Sequence, residues 1–379
     1  MKIFIYALLI ISILSACQSG TEQKIKKDPA VAILVNLDNE NETSVFDIFS
    51  DIDIIPLETN EKSLFNYPFE KIVEDEGVYY ILDTREKKAF MFDSMGVFIK
   101  VMDKIGRGPG EYIDMEDFNV NRYTQNAEFI SSVGEILIYD HIFEKYVKKL
   151  RVPRITRHMI NLTEDIDVHF EATTKRNKMF FYSRKEKKII KECFPRPDFV
   201  YYKTIFKHTN SPFYVCNDTV CFYDGANGDI YTIDSDKLEL KHRHQWDFGE
   251  YNFDISLLPP DEDMKYYMDF SNYGNNQYAF TFICNVENND YLITRFWFRQ
   301  QAKTIIYHKK NKDHFLFHTF KEGFQCMPLF INDKYLYSAA SPDFLSLVIN
   351  EKVLDEKNRK ILSNIKENDN SVIIRYKFK

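Results

Sequence analysis

Residues 78–112, VYYILDTREKKAFMFDSMGVFIKVMDKIGRGPGEY, restrict the fold more than any other part of the chain. Three β-rich runs, 78–82, 89–92 and 97–102, are separated by a polar turn over 83–88 and the tight turn Asp93-Ser-Met-Gly96. Gly106-Arg-Gly-Pro-Gly110 ends the unit. Short strands joined by such turns form an antiparallel meander, and a meander of this size is one blade of a β-propeller. The same rhythm of β-run, polar turn and β-run returns at 135–139 and 146–152, at 178–182 and 188–192, and at 212–222, 229–233 and 238–248. It returns again at 291–298, 304–308 and 314–319, and at 335–339. The period drifts between roughly 40 and 60 residues, at or above the usual propeller range. The strand-like segments 30–35, 52–56 and 371–378 place β-structure at both ends, as a ring needs if its first and last strands are to meet and leave no edge unpaired. Two segments depart from the rhythm: a short helix is expected over 257–270, and a longer one over 344–365, where Leu347, Leu354, Ile361 and Ile365 recur near the helical period.

The N-terminus carries a second signal. Met1-Lys2, an apolar run over 3–14, and Leu14-Ser-Ala-Cys17 have the form of a secretory signal too short to cross a bilayer. Leu14-Ser-Ala-Cys17 resembles the lipobox of bacterial lipoproteins. That resemblance implies cleavage of 1–16, acylation at Cys17, a flexible tether over 17–29 and a single domain over 30–379. More than one acyl chain makes such a tether stable, because each buried methylene contributes only ~0.8 kcal/mol.

Aromatic residues make up 16% of the chain, with 24 Tyr and 33 Phe, which suits many strands around a large core. The formal net charge of −7 argues against nonspecific nucleic-acid binding, which needs a basic field. After Cys17, Cys193, Cys216, Cys221, Cys284 and Cys326 remain. They are expected to be small buried thiols, with Cys216 and Cys221 pairing across a hairpin as the alternative.

Several segments together resemble the six-bladed β-propeller lipoproteins of gut Bacteroides and their relatives. They are Ile54-Ile-Pro-Leu-Glu-Thr59, Tyr80-Ile-Leu-Asp83, Phe92-Asp93 with Gly96, Gly106-Arg-Gly-Pro-Gly-Glu-Tyr112, Asp247-Phe-Gly249 and the final 369–378 run. The resemblance runs from about residue 30 to the end and implies an NHL-like propeller of six four-stranded antiparallel blades with a helical insertion near the C-terminus. Surface-exported lipoproteins of this group often carry an acidic cluster after the lipid cysteine. Only Glu22 stands there, so the expected address is the outer membrane, facing the periplasm. The resemblance carries no catalytic residues.

Gly106–Gly110 lacks the Gly-Lys-Ser/Thr ending and following helix of a phosphate loop. It is expected to be a blade connector, with Arg107 and Glu111 as candidate ligand-facing residues on the loop face and Tyr112 packed between blades. His242 and His244, two apart, would share one face of a strand, as would His314 and His318. Neither pair has a third ligand nearby, whereas a catalytic zinc needs about three, so no metal and no cofactor are expected. No Gly-x-Ser-x-Gly elbow occurs. Asp93-Ser-Met95 and Asp218-Thr-Val220 match the short O-glycan acceptor of Bacteroides or are ordinary turns. The leading functional expectation is a lipid-anchored envelope module that binds a glycan, peptide or partner protein. A propeller hydrolase or lyase centred on the channel, and an accessory subunit of an envelope complex, are its alternatives.

Overall fold

The computed structural model describes residues 31–66, 71–170, 177–195, 211–225, 227–253 and 277–379. Six antiparallel sheets, each contributing a four-stranded blade, follow one another along the chain. Blade 1 consists of Lys71–Asp75, Val78–Asp83, Lys88–Phe92 and Phe98–Met102. Blade 2 is Asp117–Val120, Ala127–Ile130, Glu135–Tyr139 and Tyr146–Arg151. Blade 3 is His158–Asn161, Ile166–Phe170, Asn177–Ser183 and Lys188–Pro195. Blade 4 is Phe213–Cys216, Thr219–Tyr223, Ile230–Asp234 and Glu239–Asp247. Blade 5 is Phe280–Glu287, Tyr291–Phe298, Gln301–His308 and Asp313–Phe317. Blade 6 combines Phe330–Ile331, Tyr335–Ala340 and Val372–Phe378 with Phe49–Pro56 from the start of the chain.

That last pairing closes the ring. Phe49–Pro56 runs antiparallel to Val372–Phe378, from Phe49 opposite Phe378 to Pro56 opposite Val372. The outer edge of the closing strand is itself covered at one point: Asn358 accepts a hydrogen bond from the Ile54 backbone N–H at 2.9 Å. Asn358 sits in the first turn of the helix Glu356–Asn364, whose N-cap Asp355 accepts from the Asn358 N–H. The segment 30–35 has a different destination from the closing strand. Ala32–Leu34 runs parallel to the outermost strand of blade 4 and adds a fifth strand to that sheet.

Each junction between neighbouring blades is sealed by its own apolar cluster. Ile81, Phe90 and Ile373 join blades 1 and 6; Leu82, Met91, Phe118 and Tyr139 join blades 1 and 2. Ile138 and Phe180 meet between blades 2 and 3, Phe181 and Phe222 between 3 and 4, Trp246 and Phe296 between 4 and 5, and Ile306 and Tyr376 between 5 and 6. The aromatic wealth of the chain goes chiefly into these junctions: Trp246, Tyr79, Tyr139, Tyr182 and Tyr223 are among the largest fully buried side chains.

The turns explain two departures from the sequence expectations and decide between the two readings of the cysteines. Residues 212–222 form two strands, because Asn217 and Asp218 both take positive φ (50° and 59°), the pattern of a two-residue hairpin turn. The expected helix over 344–365 is broken into Leu345–Val348, a single turn at Glu351–Val353, and Glu356–Asn364. Asn350 and Asp355 each accept a backbone N–H further on and so start a new turn. Cys216 pairs with Thr219 and Cys221 with Tyr214 across the hairpin. The two cysteines are thus out of register, and Cys193, Cys216, Cys221, Cys284 and Cys326 are all free thiols. The helix expected over 257–270, and Cys17 with its tether, lie outside the described residues.

Candidate functional site

Connectivity gives the disc two unlike faces. One holds the connectors between blades and the turns between second and third strands; the other holds the remaining hairpin turns. On the connector face, a cavity of about 370 Å³ opens between blades 5 and 6. Its walls come from the middle of Phe280–Glu287 (Ile283, Cys284), from Tyr291–Phe298 (Arg295, Trp297), from the following turn (Gln300, Gln301), and from the connector between the blades (Gln325, Met327, Pro328, Leu329). Ala302, His318, Ala339 of blade 6 and Leu347 of the helix Leu345–Val348 complete it. The turn is tight: Arg299 and Gln300 both have positive φ, and the register runs directly from Phe298 to Gln301.

The polar groups in this apolar hollow are few and placed. Arg295 is 5% exposed. Its Nη1 donates to the Cys326 carbonyl and its Nη2 to Gln325 Oε1. Burial pushes its pKa down. Burial also pushes the neighbouring Cys284 and Cys326 thiols up to about 12, so neither supplies a negative charge at neutral pH. His318 has Nδ1 2.8 Å from the Ala302 carbonyl. A carbonyl only accepts, so Nδ1 carries a proton. Gln301 accepts from Lys303, which also pairs with Glu40.

The channel end of the same face has a different character. Lys71, Asp117 and His158 are the first residues of three successive innermost strands. Lys71 bonds Asp117 at 2.8 Å, and Asp117 also accepts from the Met159 N–H. On the opposite face, Arg122 of blade 2 reaches the carbonyls of Leu162 in blade 3 and Asp218 in blade 4. Beneath it, Arg184 bridges Glu128 and Asp167, with Asn161 donating to both carboxylates. Glu287, with no exposed side-chain surface, collects Arg243, His244 and Lys309. Burial alone would raise its pKa, but hydrogen bonds from His244, Arg243 and Lys309 outweigh burial and hold the carboxyl well below its usual range.

The sequence candidates scatter over this framework. Gly106–Gly110 is a connector, between blades 1 and 2, and therefore on the pocket's face. Arg107 is exposed there; the Glu111 carboxylate accepts the Gly108 N–H at 2.7 Å and so braces the loop itself. Tyr112 is buried between blades 1 and 2 and bonds the carbonyls of Lys87 and Met102. His242 and His244 do not share a face. A bulge places Arg243 between them, so they oppose Tyr231 and Ile230, adjacent residues that point to opposite faces. His242 packs 4.7 Å from the Tyr231 ring, while His244 bonds Glu287 of the next blade. His314 lies on Asp313–Phe317, but His318 is one residue past its end and turns into the pocket. Ser94 stands exposed at a turn tip, and Thr219 begins a strand and bonds the Asn217 carbonyl. Arg295, a pocket-lining residue, is absent from the sequence candidates; its signal is a lone charge inside the apolar run Tyr-Leu-Ile-Thr-Arg-Phe-Trp-Phe.

A family model described as a domain of unknown function, DUF4934, matches residues 29–377. The chain belongs to the DUF4934 family. Among solved structures, this DUF4934 chain is similar to a Bacteroides fragilis protein described as exported, at 18% identity and a TM-score of 0.72, covering 92% of this chain and 99% of that one. A Bacteroides vulgatus member of the DUF4221 family matches at 10% identity and a TM-score of 0.53, covering 90% and 99%. Identities this low speak for the fold alone. No curated protein matches the chain.

Proposed function

We propose that this DUF4934 protein is a binding module of the bacterial cell envelope, tethered by lipid at Cys17, which holds a compact ligand between blades 5 and 6. The observation that carries the reading is the roughly 370 Å³ pocket on the connector face, apolar-walled with a few converging polar groups. Its size and lining are those of a small-ligand site. It suits one residue of a glycan or peptide better than a flat protein surface. The tether and envelope residence rest on the apolar signal over 3–14 and Leu14-Ser-Ala-Cys17.

Two substitutions test the two halves. Cys17→Ala is expected to abolish incorporation of labelled palmitate into the protein; undiminished labelling would remove the lipid anchor at Cys17. Ala339→Phe places a ring in the pocket. It is expected to abolish fragment binding seen by ligand-observed NMR while leaving a cooperative melt; undiminished binding would move the site elsewhere.

A channel-centred hydrolase or lyase is the second reading, favoured by the convergence of Lys71, Asp117 and His158. It ranks below the first because Asp117 has 1% of its side chain exposed and is closed against Lys71 and a backbone N–H. A catalytic carboxylate has to reach its substrate.

A further inference from the structure

The two buried lysines among the described residues have carboxylate partners, and so do the largely buried Arg184 and Arg243. Lys71 pairs with Asp117, Arg184 with Glu128 and Asp167, Arg243 with Glu287, and Lys303 with Glu40. Arg295 breaks the pattern. It is as buried as any of them, yet its hydrogen-bond partners are a backbone carbonyl and a glutamine, and it forms no ion pair among the described residues. An ion without a counter-ion in a low-dielectric site costs several kcal/mol. A guanidinium also carries more N–H donors than these two bonds consume. The residue lines a cavity, so the missing charge has a place to sit.

We propose that the pocket between blades 5 and 6 binds a carboxylate carried on an apolar body, with Arg295 as its counter-ion. This deepens, and rests on, the ligand-binding reading above. Three features select the class. The pocket offers one unpaired cation, since Lys303 is committed to Glu40 and Gln301. One cation balances a monoanion and leaves a phosphate dianion in excess. A planar carboxylate matches the guanidinium fork with two parallel hydrogen bonds. The remaining wall, with Ile283, Ala302, Met327, Leu329 and Ala339, matches an alkyl or aryl group better than the hydroxyl-rich ring of a sugar. Trp297 adds a flat face, and His318 lines the cavity too. Such a carboxylate comes either from a small free acid or from the C-terminus of a peptide ending in an apolar residue.

The test is calorimetric titration of the mature chain from Gln18 to Lys379, which lacks the apolar signal and the lipidated cysteine, with phenylacetate, N-acetyl-phenylalanine and neutral phenylacetamide. At least one acid is expected to bind about tenfold or more tightly than the amide, as a charge-assisted pair requires. Tighter binding of N-acetyl-phenylalanine identifies a peptide end as the source; tighter binding of phenylacetate identifies a free acid. Arg295→Met is expected to erase the preference for acid and leave amide binding in place, and Arg295→Lys to keep part of it. The acid–amide comparison on the unsubstituted pocket stands even if these variants fold poorly. Equal binding of acid and amide overturns the carboxylate assignment but leaves the pocket a ligand site. Failure of all three compounds to bind overturns both.

Discussion

Replacing Arg184 by methionine is expected to destabilise the protein by about 3–5 kcal/mol at neutral pH, the usual cost of removing one partner from a buried ionic cluster. Arg184 lies with 11% of its side chain exposed between Glu128 of blade 2 and Asp167 of blade 3, which have 1% and none. Its Nε bonds Asp167 at 2.8 Å, and both Nη groups hold Glu128. Without it, two buried carboxylates retain only Asn121 and Asn161 as side-chain donors. The loss depends on pH with a definite sign. Burial, opposed by Arg184, raises the Asp167 pKa from 3.8 to about 6. A group whose folded pKa lies above its unfolded value contributes stability fully below about pH 4 and loses it as pH rises through about 6. Removing Arg184 raises the folded value further, so the variant gains more from acid than the parent. Urea unfolding at pH 7 and pH 5 is therefore expected to show the gap narrowing at pH 5. A gap below about 1 kcal/mol at pH 7, or one that widens in acid, would show that the cluster does not hold blades 2 and 3 together.

The same cluster shows why part of the fold was illegible in the sequence. Many middle strands run apolar, and segments such as 135–139 and 291–298 read directly. The innermost strands of blades 1 to 3 do not. Lys71–Asp75, Asp117–Val120 and His158–Asn161 are short and carry Lys71, Asp117, Asn119, His158 and Asn161, whose polar side chains tie blade to blade. Ala127–Ile130 and Ile166–Phe170 are disguised likewise by Glu128, Asp167 and His169. A polar residue satisfied by the next blade looks, in sequence, like a loop residue. The bulge at Arg243 is invisible for another reason: periodicity assumes unbroken alternation, and one inserted residue sends His244 to Glu287 and leaves His242 on Tyr231. The pocket was hidden because Arg295, His318, Gln325 and Ala339 converge only when blade 6 packs on blade 5. Packing between blades consumes most of the aromatic content, and Trp297 is the aromatic residue lining the cavity.

The second large effect concerns closure, where the sequence was most informative: β-segments at both ends of a repeat chain require each other. A chain beginning at Glu58 is expected not to fold, whereas one beginning at Ser44 is expected to melt cooperatively at a lowered temperature. The shorter deletion takes Ile33, Val35 and Leu37 from the junction of blades 4 and 5. The longer one also removes Val45, Ile48, Phe49, Ile52 and Ile54 from the blade 5–6 core and Ile55 and Leu57 from the blade 6–1 core. At roughly 1.5–3 kcal/mol for each buried side chain, these seven further residues contribute about 10–20 kcal/mol. A whole domain is stable by only about 5–15 kcal/mol, so their loss exceeds what the remaining ring can absorb. It also strips Val372–Phe378 of its partner along the full register from Phe378 to Val372, leaving a hydrophobic edge that recruits other chains. Circular dichroism melts and light scattering compare the two truncations, and a synthetic peptide of residues 44–57 added to the shorter chain is expected to restore folding. A cooperative melt of the chain beginning at Glu58, matching that of the chain beginning at Ser44, would mean that five blades and the rest of the sixth stand without the clasp. The junction clusters between blades 1 to 5 would then have to supply the whole stability of the disc.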